Sequence, residues 1–233
     1  MMKKTSAWIV GTCSFAVPAL AAAHISLSGP VAEDSTQEIS FGIGHGCDGL
    51  DTYSVRVEIP PSITSVRAVP SPFGKVTIEK NAAGLISAVT WQKPDADIID
   101  ADTNYYKLSL RIGVPKKTAF SQLLFKTYQK CRNTKGETKE SNWVDVSETA
   151  ADGGHGFPAP VLTIVPKHVN GWNKITVPVD VADLKTYFGD ALIVWKGNAA
   201  YSPNPATAEQ IATTADTTAL TALKANDEVW VKY

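Results

Sequence analysis

Residues 52–61 read TYSVRVEIPP, and this stretch decides the fold class. Valine and isoleucine alternate with charged residues from Val55 to Ile59, which is the period-2 pattern of a strand with one buried face. Two prolines follow, and proline cannot donate a hydrogen bond to a neighbouring strand. The stretch therefore predicts a β-strand over residues 52–59 that ends at a turn.

The same pattern recurs along the chain as far as residue 165. Short alternating or apolar runs are separated by proline, glycine and asparagine, and no amphipathic helical run lies between them. This spacing predicts a mainly β protein with two packed antiparallel sheets, a β-sandwich, rather than a parallel α/β sheet. The predicted strands are 24–28, 37–43, 52–59, 65–69, 75–80, 86–92, 105–114, 123–129, 143–146 and 161–165.

The pattern changes from about Pro166. Residues 207–224 are rich in alanine and threonine and predict one or two short helices. We expect residues 166–233 to form a smaller α+β extension that packs on or beside the sandwich, because two of its strands are too apolar to stand alone. The strands predicted there are 174–179, 191–196 and 228–232.

Residues 1–23 have the pattern of a signal peptide. Lys3 and Lys4 precede an apolar stretch, and three alanines end at Ala23. The apolar stretch has about 14 residues, against the roughly 20 that a membrane-spanning helix needs. We expect cleavage after Ala23, export to the periplasm, and a mature chain that starts at His24 and has no transmembrane segment.

Charge and motifs exclude several classes of function. Loss of Lys3 and Lys4 leaves 20 basic residues of the original 22 against 23 acidic ones, a net charge of −3. An acidic chain does not attract nucleic acid. The sequence contains no nucleophile elbow, phosphate-binding loop or zinc-protease helix, so we expect no catalysis.

Cysteine usage predicts one disulfide. Cys13 leaves with the signal peptide, so Cys47 and Cys131 remain in an oxidising compartment. The alternative is a thiolate metal site, which the long separation and the absence of a CxxC motif disfavour.

His24 becomes the N-terminus if the signal peptide is cleaved as predicted. A terminal histidine offers its α-amine and ring Nδ1 to one metal ion, and nitrogen donors of this kind favour Cu(II). The alternative is that the histidine at the cleavage site has no role.

Several segments resemble the YcnI-like family of exported copper-binding proteins. The resemblance covers roughly residues 24–165, and HGCDG at 45–49 is its most specific part. It implies a cupredoxin-like or immunoglobulin-like β-sandwich that holds Cu(II) through the N-terminal histidine, with a carboxylate and a tryptophan beside the metal. The matching segments are HISL at 24–27, FGIGHGCDG at 41–49, VRVEIP at 55–60, PSP at 70–72, VTW at 89–91 and YQKC at 128–131.

The family's ligand set maps onto three residues of this chain. The histidine corresponds to His24, and the tryptophan corresponds to Trp143. The carboxylate corresponds to Asp102, the nearest acid to the strand over residues 105–114, where this sequence has no glutamate.

The other histidines are less favoured as metal ligands. His45 is either a second ligand or, as we favour, a residue that orients a turn beside Cys47, because glycines flank it. His155 lies in a glycine-rich loop and is expected to be solvated, and His168 has no visible partner.

Four tryptophans of the mature chain outside the predicted site are either packing residues or a ligand-binding surface. They are predicted to pack in the core or at its rim rather than to form a sugar-binding platform. They are Trp91, Trp172, Trp195 and Trp230.

The function expected from these features is that of a periplasmic Cu(II)-binding protein in copper homeostasis or copper delivery, whose partner is another periplasmic or membrane copper-handling protein. Two alternatives remain. One is a metal-free adhesion or assembly module of the cell envelope. The other is a copper-dependent oxidative enzyme, which would need a second histidine at the metal.

Overall fold

The computed structural model describes residues 25–116, 122–146 and 157–233. The predictions for the signal peptide, for His24 and for His155 therefore lie outside the described residues. In the part of the chain that is described, no helix is long and apolar enough to cross a membrane.

Two main sheets form the first part of the fold. Its strands, numbered in chain order, are β1 (Ser26–Leu27), β2 (Val31–Ala32), β3 (Ser35–Ile43), β4 (Asp51–Glu58), β5 (Thr64–Ala68), β6 (Lys75–Lys80), β7 (Ile86–Gln92), β8 (Tyr106–Val114), β9 (Gln122–Leu124), β10 (Thr127–Arg132), β11 (Thr138–Asp145), β12 (Phe157–Pro158) and β13 (Val161–Val165). The first sheet has the order β1-β3-β8-β5 and the second has the order β12-β11-β10-β4-β7-β6. A small third sheet has the order β2-β13-β9.

The two main sheets share one hydrophobic core. Val55 and Val57 of β4 are buried, whereas Arg56 between them lies on the outer face and pairs with Glu79. The inward side chains of both sheets belong to a single cluster. The predicted β-sandwich is therefore confirmed.

The chain changes sheets where a single strand over residues 123–129 was expected. Strand β9 pairs with β13 and β10 pairs with β4, so Phe125 and Lys126 form the crossing between the sheets. Phe125 is fully buried, and its ring lies edge-on to Phe41 with 5.7 Å between the ring centroids. The prediction of one continuous strand was wrong because the buried Phe125 side chain and the backbone bond from its N–H to Pro160 turn the chain.

Residues beyond 165 form a second sheet-and-helix unit with its own core. Its elements are β14 (Trp172–Thr176), α1 (Leu184–Phe188), β15 (Ile193–Lys196), β16 (Ala199–Tyr201), α2 (Pro205–Thr213), β17 (Thr218–Ala219) and β18 (Glu228–Lys232). The strand order is β14-β18-β15-β16-β17. Gly189 at the end of α1 packs against Val165 and Pro30 so closely that a Cβ atom would overlap Val165, which holds the unit against the sandwich.

The helices differ in place from the prediction. Helix α2 starts two residues earlier than the predicted region. The Asn204 side chain caps it by accepting hydrogen bonds from the backbone N–H groups of Ala206 and Thr207, and Pro205 fits the first turn. Of the one or two short helices predicted for residues 207–224, the structure has one, and the rest of that stretch contains β17. Helix α1 was not predicted, because five residues are too few to show the spacing of apolar residues that is typical of a helix.

Two other expectations need correction. Trp91 is fully buried, but Trp172 and Trp230 are 51% and 52% exposed, so the prediction of core or rim packing was wrong for these two. His168 has partners: its ring stacks on Tyr233 at 3.6 Å between centroids, and its Nδ1 bonds to the carbonyl of Pro166 at 2.7 Å.

The predicted disulfide between Cys47 and Cys131 is present, with 5.6 Å between the two Cα atoms. It connects the loop between β3 and β4 to the middle of the second sheet. Both residues are buried next to Leu50.

Loss of this disulfide should destabilise the fold. Replacing Cys47 and Cys131 together by serine frees a closed loop of 84 residues, which lowers the free energy of unfolding by about 4 kcal/mol in the chain-entropy model. Urea denaturation of the double variant measures this loss. Alkylation of two thiols in the native, unreduced protein would contradict the assignment.

Candidate metal site

Three chain segments leave the first sheet at the same end. Strand β1 pairs with β3 so that Ser26 lies opposite Gly42, and β3 pairs with β8 so that Ile43 lies opposite Tyr106. The segment before β1, the segment after β3 and the segment before β8 therefore meet at one edge. These are the segments that contain the predicted His24, the alternative His45 and Asp102.

The loop over residues 44–50 crosses from the first sheet to the second. Gly46 lies against the carbonyl of Leu50 so closely that any side chain would overlap it. Asp48 and Gly49 have positive φ angles of 51° and 81°, and the Leu50 N–H bonds back to the Cys47 carbonyl at 3.0 Å. The HGCDG run is thus a tight turn that only glycine at position 46 permits.

Gln129 joins this loop to the predicted tryptophan. Its buried side-chain amide donates to the carbonyl of His45 at 2.7 Å and to the hydroxyl of Thr52 at 2.8 Å. Its Oε1 accepts a hydrogen bond from the Trp143 indole at 3.1 Å. One side chain therefore fixes the distance between the His45 backbone and Trp143.

Trp143 lies on the inner face of β11. It is buried and lies opposite Thr127 in the neighbouring strand. The Phe157 ring stacks on the indole with 4.5 Å between centroids and 27° between the planes. Sequence reasoning did not single out Gln129 and Phe157, which contact Trp143. For Gln129 a signal was available: it lies two residues before Cys131, and residues two apart in a strand point to the same face.

The His45 ring contacts the backbone of its own turn. Its Nδ1 bonds to the carbonyl of Gly46. Because a carbonyl only accepts, Nδ1 carries the proton and the lone pair of the neutral ring is on Nε2. Histidines that bind metals commonly use one nitrogen for a backbone carbonyl and the other for the metal.

Asp102 lies in the segment before β8 and is half-buried. Among the described residues it has no hydrogen-bond or ion-pair partner. Its neighbour Asp100 is occupied, since it accepts hydrogen bonds from the hydroxyl and the backbone N–H of Thr134, which lower the pKa of the Asp100 carboxyl. Asp95 pairs with Arg132, so Asp97 and Asp102 are the acids of this segment whose side chains have no hydrogen-bond or ion-pair partner among the described residues.

A buried ion pair supports the same end of the sandwich. Lys93 Nζ lies 2.5 Å from Asp51 Oδ2, and both side chains are less than 5% exposed. The Tyr106 hydroxyl donates to Asp51 at 2.7 Å, and accepts from Lys93 at 2.7 Å. Burial, followed by the hydrogen bond to Asp51, raises the pKa of the Tyr106 phenol. Asp51 is thus engaged by its own partners, which anchor the start of β8.

The described residues alone do not form a complete metal site. No three histidine, cysteine or acidic side chains come together in residues 25–116, 122–146 and 157–233. The principal expected ligand, His24, lies outside these ranges.

The model of a family described as "Domain of unknown function (DUF1775)" matches residues 24–164. The chain belongs to the DUF1775 family. This is the family of the YcnI-like proteins, so the family assigned from the sequence resemblance is confirmed. The match starts at the first residue after the predicted cleavage point.

Solved structures show distant likenesses. A Nocardia farcinica protein with an immunoglobulin-like fold is 19% identical, with a TM-score of 0.48, over 60% of this chain and 97% of its own. BcpA, the major pilin subunit of Bacillus cereus, is 12% identical, with a TM-score of 0.35, over 89% of this DUF1775 chain and 54% of its own. No curated protein sequence matches the chain. Neither likeness bears on function.

Gln129 should be essential to the geometry of the candidate site. Gln129→Leu leaves the His45 carbonyl, the Thr52 hydroxyl and the Trp143 indole without their partner, which should lower the free energy of unfolding by about 2–4 kcal/mol. Gln92→Leu makes the same change at an exposed position of the same sheet and should stay within about 0.5 kcal/mol of the parent. Equal losses in the two variants, measured by urea denaturation, would show that the network does not matter.

Proposed function

We propose that this DUF1775 protein is an exported Cu(II)-binding protein of the periplasm that acts in copper homeostasis or delivery. The metal would be held by the α-amine and ring Nδ1 of His24. The observation that carries the proposal is the meeting of three segments at one end of the first sheet, because these segments contain His24, His45 and Asp102.

Covalent geometry limits where the N-terminal chelate lies. Consecutive Cα atoms across a trans peptide are about 3.8 Å apart. Ile25 is buried in the sandwich core, and the next residue pairs with Gly42. The proposal therefore places the chelate at this end of the first sheet, where the loop over residues 44–50 begins.

The described residues supply further donors of the type that copper accepts. In this proposal the imidazole of His45 would add a further nitrogen donor, and the carboxylate of Asp102 would add an oxygen. Trp143 and Phe157 supply apolar aromatic surface behind the loop. A nitrogen-rich site with an apolar wall is consistent with storage or transfer of Cu(II), and a copper-handling partner would then collect the ion.

Proton competition gives the proposed site a pH dependence. The free α-amine has a reference pKa near 8 and a histidine ring one near 6.5, and each must lose its proton before it binds the metal. Cu(II) affinity should therefore fall as the pH drops through 6.5, and it should be highest above about pH 8.

The decisive comparison uses mature protein that starts at His24. His24→Ala should abolish tight Cu(II) binding in calorimetry, and one extra residue before His24 should weaken it by at least about a hundredfold, since each change breaks the chelate. His45→Ala should cost less, because it removes one donor and leaves the chelate intact. His168→Ala, whose ring already stacks on Tyr233, is the matched control and should bind as the parent does.

Tryptophan emission gives a second measure of the same event. Cu(II) within a few ångströms of Trp143 should quench its fluorescence, and Trp143→Phe should remove most of the quenching without removing the binding. Unchanged affinity in the protein with the extra N-terminal residue would refute the assignment of the metal to His24.

A further inference from the structure

Three tryptophans of the C-terminal unit share one outer sheet face. Strand β18 alternates, with Val229 and Val231 buried and Trp230 exposed. Trp195 lies directly opposite Trp230 in β15, and Trp172 lies in β14 on the other side. Because the inner face of this sheet already packs the unit's core, these indoles are not needed to complete it.

The three rings lie close together across neighbouring strands. Directly paired residues have Cβ atoms about 4.5–5.5 Å apart, and diagonal pairs lie about 7–8 Å apart. Trp195 and Trp230 are a direct pair, and Trp172 and Trp230 are a diagonal one. The indoles line an open groove of about 280 Å³.

A lysine lies on the same face next to Trp172, and the tryptophan face is defined as Trp172, Trp195, Trp230 and Lys232. Lys232 is exposed, lies opposite Trp172, and is two residues from Trp230 in the same strand. Within the described chain it has no ion-pair partner, whereas the nearby Lys174 is neutralised by Glu228 at 2.9 Å. The face therefore carries a positive charge on a protein whose net charge is negative.

We propose that the tryptophan face binds an acidic polysaccharide. One side of a pyranose ring presents C–H groups, which pack on the electron-rich face of an indole, and several such rings side by side suit successive sugars of a chain. A sugar carboxylate would then meet the Lys232 ammonium. Aromatic stacking supplies affinity and the single uncompensated charge supplies the preference for an anionic chain.

Other partners fit these features less well. A membrane surface is bound through clusters of basic residues, whereas this face carries one lysine that has no ion-pair partner among the described residues. Three partly exposed indoles offer roughly 300 Å², below the roughly 800 Å² per partner of a standard protein interface. The groove and its charge therefore favour a polysaccharide over a membrane or a folded protein.

The test uses the metal-free mature protein and polygalacturonate, a linear uronic acid polymer, with its methyl ester as the uncharged comparison. Affinity electrophoresis and tryptophan emission give the dissociation constant. Trp230→Ala should raise it by at least about tenfold. Lys232→Gln should reduce the preference for the charged polymer over its ester. Leu85→Ala removes an exposed apolar side chain from the sandwich and should have no effect.

Several results would overturn the proposal. These are absence of binding to polygalacturonate, equal binding by Trp230→Ala and the parent, or binding to phosphatidylglycerol vesicles in place of the polymer. Far-ultraviolet circular dichroism checks that each variant is folded, which is expected because Trp230 and Lys232 are exposed. The His24→Ala variant should bind the polymer as the parent does, which separates this site from the copper proposal.

Discussion

The hydrogen bonds of the Gln129 side chain hold the candidate site together. This amide is buried between the sheets and bonds to the His45 carbonyl, to Thr52 and to Trp143. The disulfide of Cys131, two residues further along the same strand, fixes the other end of the same loop. A covalent bond and a hydrogen-bond network thus act on one short turn, and the rest of the proposed site depends on where that turn lies.

The sandwich topology brings the proposed ligands together from distant parts of the sequence. Strand β3 lies between β1 and β8, so the segment that carries Asp102 reaches the same end of the sheet as the N-terminal strand. The buried ion pair of Lys93 and Asp51 fixes the start of β8 through Tyr106. The proposed site needs a processed N-terminus near this end of the first sheet, where β1 begins.

Sequence alone predicted the strands that have clear alternation and clear turns on both sides. Strands β6, β7, β13 and β18 were predicted with their observed bounds, and the disulfide followed from cysteine counting. The sheet change at Phe125 was not predictable, because residues 123–129 (LLFKTYQ) contain no proline or glycine to mark a break between two strands. The exposed tryptophans were misjudged for a related reason: alternation separates two faces but does not say which one is buried. The role of Gln129 depends on groups from three distant segments, which no local pattern reveals.

Electron paramagnetic resonance of the Cu(II)-loaded mature protein tests the central claim most directly. The nitrogen hyperfine pattern counts the nitrogens bound to the metal, and ¹⁵N-labelled histidine identifies those that come from histidine. The account predicts at least two histidine nitrogens in the parent, and a changed pattern with one nitrogen fewer when a residue is added before His24. Identical spectra from the two proteins would contradict the assignment of the metal to the processed N-terminus.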